Sequence, residues 1–259
     1  LAGGAAGFGA VAVVGPTGAF AIAGVAYFGS AWFAHRLASS LAHPHPKGTR
    51  FVEDAIEIAR DLSEGLRTLW AEARLRLPLA GIFVLRTVTV FVAIVAILFI
   101  KDAFPEAGER AGRLSWSAIV LGVAGAGAFI GALSTPFFHR RLDKQAIIIL
   151  GFVVSGAGIA ALGGVEHIAA ILVLTFAAGF GNLLTKVAVD ACMQEELSDD
   201  FRGRGFAVYD IVYNLASVAA AALMVAVQAS SLRTVSVATG VATLACAGFL
   251  RVGFAASAR

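Results

Sequence analysis

The sequence predicts an all-α fold, a polytopic transmembrane helical bundle, and two observations predict it. Apolar runs fill the chain: 59% of its 259 residues are hydrophobic and 14% are charged, against about 25% charged in an ordinary soluble domain. Mean hydropathy is +0.84. The remaining charges are swept into the connectors, and the positive ones gather on one side of the runs. A bilayer imposes that distribution on the chains that cross it.

Eight runs stand out, near 1–14, 17–35, 79–100, 116–137, 146–164, 169–191, 206–228 and 235–254. A helix needs roughly 20 apolar residues to cross about 30 Å of hydrocarbon. The first run is too short and begins at Leu1, so it reads as a helix cut by a fragment boundary. Buried helices of a soluble protein would carry an amphipathic stripe, and a β-barrel would show alternating runs of about ten residues. Neither pattern is visible.

Charge gives the expected orientation. With the 36–78 connector placed in the cytoplasm, the basic turns around Arg140, Arg141 and Lys144 and around Arg202 and Arg204 fall on the same side, as do Arg251 and Arg259. The opposite connectors hold only Lys101, Arg110, Arg113 and Arg233. This is a positive-inside bias. The net charge of +3 therefore reads as an orientation signal and not as a nucleic-acid footprint.

The long connector opens with a breaker-rich stretch holding His43 and His45, which reads as a solvated linker. An amphipathic helical pattern follows, with Phe51, Ile56, Leu62, Leu66, Leu69 and Trp70 on one face and mixed charge on the other. That face suits either the membrane surface or docking on the bundle. The expected organisation is two spans within 1–37 (the first truncated), a central loop over 38–76, and a six-helix half over 77–259. Gly3 with Gly7, and Gly127 with Gly131, are spaced as small-xxx-small pairs that let helix backbones approach.

Polar residues inside the spans are the functional candidates, because an ionisable group in hydrocarbon is costly and marks a pathway or a pair. Arg86 lies about nine residues into its run, roughly 14 Å deep at about 1.5 Å per residue. It either binds an anionic group of a substrate, tunes a proton-carrying carboxylate, or locks two helices as a permanent ion pair. Asn182, Lys186 and Asp190 share one face at a spacing of four. Asp210, Tyr213, Asn214 and Ser217 share another at offsets of three and four. Asp210, the one acid well inside its run, is the expected partner of Arg86 or Lys186. The acidic and basic connector from Gln194 to Arg204, with Glu195, Arg202 and Arg204, faces the basic turn with Arg140, Arg141 and Lys144 as a candidate gating pair. Cys192 and Cys246 have no partner spacing, which argues against a disulfide or a metal site. No nucleotide loop, metalloprotease motif or nucleophile arrangement is present, so neither an enzyme nor a cofactor is expected.

Several segments resemble the major facilitator superfamily. Gly15-Pro16-Thr17-Gly18-Ala19-Phe20 and the run to Arg36 look like its fifth-to-sixth helix turn, and Leu62 to Arg67 looks like its central loop. Val189-Asp190 through Arg202-Gly203-Arg204 to Asn214 is similar to its tenth-to-eleventh helix junction. In the stretch from Gly131 to Lys144 the family's basic loop keeps Arg140, Arg141 and Lys144, but Asp143 stands where a glycine is usual. The resemblance implies twelve spans in two halves, about eight of them here, with inverted three-helix repeats in the later half. It implies alternating access around a cavity lined by the first, fourth and fifth helices of that half, which carry Arg86, Asn182, Lys186, Asp210, Tyr213 and Asn214.

The function expected is secondary active transport of a small solute across a cell membrane, with proton-coupled efflux as one form. The alternative is a non-transporting sensor or scaffold of the same fold. The expected partners are the solute, protons, the lipid bilayer and the missing N-terminal spans, with no nucleic acid.

Overall fold

A computed structural model of the chain describes residues 18, 21–22, 24–33, 36, 60, 63–67, 69–103, 110–165, 167–227 and 231–257. The run near 1–14 with Gly3 and Gly7, the linker with His43 and His45, and the amphipathic stretch through residue 59 lie outside these residues. The chain forms two compact units, Leu1–Arg60 and Asp61–Arg259. In the first, residues 24–33 are helical, and Tyr27, Phe28, Trp32 and Phe33 are exposed. The Arg36 guanidinium lies 5.2 Å from the Trp32 ring centroid.

The second unit holds six long helices: α1 (Ala73–Ala103), α2 (Arg110–His139), α3 (Lys144–Leu162), α4 (Ile168–Glu196), α5 (Asp199–Ala226) and α6 (Leu232–Ser257). All six are long and apolar enough to cross a membrane. Polar residues at the turns start them. Asp143 accepts the Ala146 N–H at 2.8 Å and so caps α3. This explains an acid where the family's basic loop usually has glycine: the turn closes with a cap in place of a free backbone. His167 Nδ1 accepts the Ala169 N–H at 3.2 Å at the head of α4, and Ser231 Oγ accepts the Thr234 N–H at 3.2 Å at the head of α6.

The connector read as a tight turn over 194–204 is shorter than expected. Gln194 to Glu196 end α4, Leu197 and Ser198 turn the chain, and α5 already begins at Asp199. Two acids in the first turn favour that start, because they sit at the positive end of the helix dipole. Gly205 lies inside α5, not before it, and the Leu197 side chain covers it so closely that a Cβ would meet Leu197 Cδ1 at 2.5 Å.

Helix α4 is the centre of the packing, with α2 and α3 along its length and α1 beside them. Its contacts are made backbone to backbone. A Cβ on Gly127 or Gly131 would strike the carbonyls of Phe176 or Phe180, and one on Gly179 would strike the carbonyl of Ala124. On the other side Gly151 and Gly181 face each other, with Thr185 and Ser155 filling the remaining space. Glycine pairing thus extends well beyond Gly127 and Gly131. Helix α6 lies on α3 through Gly240 against Ala160 and Gly156 against Leu244, and also touches α1. Helix α5 packs along α1 and barely touches α4.

The main core lies towards the end that carries the Asp143 turn. Leu75, Leu79, Ile82, Leu85, Phe152, Leu184, Met193 and Tyr209 are buried there. The end of the connector helix joins this core: Leu69 is 1% exposed, and a Cβ on Gly65 would meet Val208 at 3.0 Å. Leu66 and Trp70 remain exposed. Of the two fates open to that apolar face, the described part thus docks by one edge. The outer surface of the bundle is apolar too, with Leu133, Val218, Phe249 and Val252 all more than 60% exposed. Such a perimeter matches lipid and not water.

Gly131→Ala is expected to destabilise the intact protein by about 1–3 kcal/mol, the usual range for overpacking. Gly122→Ala on the same helix meets nothing within 4 Å and is expected to leave stability unchanged. Thermal unfolding of the two purified variants distinguishes them.

Candidate functional site

Arg86 sits at the middle of the α1 span Arg74–Phe99, about 18 Å along the helix at ~1.5 Å per residue. Its guanidinium stacks on Tyr213 of α5, with Cζ 4.7 Å from the ring centroid. Its Nε is buried and has no hydrogen-bond partner. Among the described residues no carboxylate pairs with it.

One helical turn away, α4 presents its polar face to the same tyrosine. Asn182 is 1% exposed, and its Nδ2 donates to the Tyr213 hydroxyl at 3.4 Å, while its Oδ1 is buried without a partner. Lys186 Nζ donates to both Asp190 oxygens, at 3.0 and 3.2 Å. The same ammonium lies 5.2 Å from the Tyr209 ring centroid and 5.4 Å from that of Tyr213. The Tyr209 hydroxyl is enclosed and unpartnered. The seam between α1, α4 and α5 therefore holds two cations, two tyrosine rings and one carboxylate, with one positive charge in excess.

The energetics of that excess decide its meaning. An arginine at a span centre costs about 2.5–3.5 kcal/mol on insertion scales. A desolvated cation–ring contact contributes about 2 kcal/mol or more. The ring offsets much of that cost but leaves the buried Arg86 Nε without a hydrogen bond. Three buried polar atoms in one seam, Arg86 Nε, Asn182 Oδ1 and Tyr209 Oη, add to the demand for a partner that can both donate and accept.

The structure separates residues that the sequence groups together. Asp210 and Asn214 are exposed, and Asn214 Nδ2 donates to the Asp210 carbonyl at 2.8 Å. Asp210 meets neither Arg86 nor Lys186, because α5 turns its Tyr209, Ala216 and Ala220 edge towards α1. Asp210 lies next in sequence to Tyr209, and so about 100° round the helix. Lys186 takes its acid from its own helix instead. Ser217 is half-buried. Tyr209 escaped the sequence reading, although its place one turn before Tyr213 was the available signal.

At the Asp143 end, Lys144 pairs with Glu195 and Arg74 with Glu196 at 3.4 Å, joining α4 to α3 and α1. These charges line a cavity of about 650 Å³ together with His139 and Cys192. Arg202 pairs with Asp199 at 2.6 Å in its own turn, and not with the 139–144 turn. Arg140, Arg141 and Arg204 are exposed, with Arg141 lying 5.5 Å from the Phe137 ring centroid. Of the expected gating set, the structure joins only Lys144 and Glu195 across helices. Among the described residues no cluster of three or more His, Cys, Asp or Glu could hold a metal, and both cysteines are free.

A family model described as the Major Facilitator Superfamily matches residues 1–221. Searches of curated proteins and of solved structures returned no match.

Tyr213→Leu is expected to lower thermal stability, and Tyr213→Phe to lower it less, since the ring under Arg86 remains. A double-mutant cycle of Tyr213→Leu with Arg86→Leu is expected to show a coupling of about 0.5–2 kcal/mol. Unfolding of the full-length protein in detergent measures it.

Proposed function

This chain belongs to the major facilitator superfamily, a family of secondary transporters, and on that premise we propose that the α1–α4–α5 seam binds the anionic group of a small solute carried by alternating access. One observation carries the reading: Arg86 sits mid-span with its Nε buried and unpaired, beside no carboxylate among the described residues. An anion placed there gains a charge-assisted hydrogen bond where water is scarce. Asn182, bonded to the Tyr213 hydroxyl, adds a buried acceptor to the same seam.

In this proposal coupling to protons runs through the Lys186–Asp190 pair. Protonating Asp190 frees the Lys186 ammonium, and the seam then carries a second unneutralised cation. A solute anion and a proton thereby favour the same state of the site, which is the linkage that cotransport needs. The basic connector and the Asp143 end lie in the cytoplasm in this reading, and the protein resides in the cell membrane. Efflux is the direction proposed, the anion and the proton leaving together.

The test is transport by the full-length protein in proteoliposomes, with organic anions as the substrate panel. Arg86→Gln is expected to reduce anion transport by at least about tenfold, the size of one lost charge-assisted contact. Arg86→Lys is expected to retain part of it. Asp190→Asn is expected to abolish the dependence on a pH gradient while leaving solute exchange intact. Normal transport by a folded Arg86→Gln protein would defeat the site assignment. Failure to bind or move any solute would favour a sensor or scaffold.

A further inference from the structure

At the end of the bundle opposite the Asp143 turn, a second cavity of about 530 Å³ opens between α1, α3, α4 and α6. It is unrelated to the polar seam: α5 contributes nothing to it, and the packed side chains of Ile159, Leu174 and Ala178 lie on the α3 and α4 side of α1. Apolar side chains line its interior, with Val92, Val95, Ala96 and Phe99 on α1 facing Leu162, Ile171 and Leu174. The volume falls within the roughly 300–1,000 Å³ of small-molecule sites.

Polarity is confined to the mouth. Ser231 and Ser236 are engaged locally, since Ser231 Oγ lies 2.9 Å from Thr234 Oγ1 and Ser236 donates to the Leu232 carbonyl at 2.8 Å. Arg233 is different. It lines the cavity, is exposed, and has no acid partner among the described residues. Its side chain runs over Gly164, where a Cβ would stand 3.4 Å from its Nε. The bare backbone at Gly164 leaves room for the guanidinium to lie at the entrance. The first turn of α6 adds its positive dipole end at the same place.

A chamber lined by apolar side chains, with a cation at its mouth that has no acid partner among the described residues, fits an amphiphile with a negative head. The surrounding bilayer supplies such molecules, since the four helices that frame the cavity have the length and composition of membrane spans. We infer that this cavity takes an acyl chain of an anionic phospholipid from the bilayer, with the phosphate held by Arg233. The occupant fills a void that would otherwise leave Val95, Ala96 and Leu174 without contacts on one side.

The experiment uses the full-length protein in detergent micelles doped with dioleoylphosphatidylglycerol, dioleoylphosphatidylcholine or oleate, with bound lipid read by native mass spectrometry. Phosphatidylglycerol is expected to bind about fivefold more tightly than phosphatidylcholine, as one basic residue near an anionic headgroup implies. Arg233→Gln, a surface change that leaves the fold intact, is expected to bring that ratio close to one. Ala96→Phe, which fills the chamber, is expected to weaken retention of both phospholipids. Equal binding of the two by the unaltered protein overturns the inference, as does an unchanged ratio in Arg233→Gln. Retention of oleate without phosphatidylglycerol also overturns it, by making the occupant a free fatty acid.

Discussion

Helix α4 meets α2 and α3 backbone to backbone at its glycines, and the rest of the bundle is arranged around that closeness. Gly179 and Gly181 put its backbone against Ala124 on one side and Gly151 on the other. In lipid, apolar side chains gain little by leaving one apolar surroundings for another, so close van der Waals contact and small residues carry association. The consequence for chemistry is positional. Asn182, Lys186 and Asp190 ride on the most tightly held helix of the unit, on the face that α2 and α3 leave free.

The same constraint explains why so few polar groups lie within the spans and why those present behave differently. Thr87 donates to Phe83 O at 2.8 Å, and Thr135 to Gly131 O at 3.1 Å, so these hydroxyls satisfy themselves within their own helices. Arg86 cannot do so. Its group is too large and too far from either end to reach headgroups, and a tyrosine face is its principal company. A protein that needed only to hold α1 against α5 had leucine and alanine available, as it uses at Leu85 and Ala216. Retaining a cation at the centre fits a role in meeting charge.

Much of this was legible in the chain itself. Six spans, their order and the inward turn of Arg86 and Lys186 follow from hydropathy and from the cost of exposing charge to acyl chains. On α5, offsets of three and four mark two overlapping faces of a helix rich in alanine. Asp210, Tyr213 and Asn214 satisfy the same spacing as Tyr209, Tyr213 and Ala216, and only the packing against α1 selects the second set. The turn around Arg202 pairs locally for a different reason. Arg202 found Asp199 three residues away, and a local pair costs less chain entropy than a distant one. Asp143 shows the reverse case, since an apparent departure from the family's loop turned out to be a helix cap.

Helix α5 leans on α1 and on little else. A rod clamped along one side is compliant about that line, whereas α4 could not swivel without parting three interfaces. Yet α5 carries both tyrosine rings against which Arg86 and Lys186 rest. A roll of α5 by roughly 30°, about 3 Å at a ring ~6 Å from the axis, would slide those rings off the cations and leave α4 where it was. The molecule thus mounts its cations on two helices, Arg86 on α1 and Lys186 on α4, and its aromatic shutters on a third.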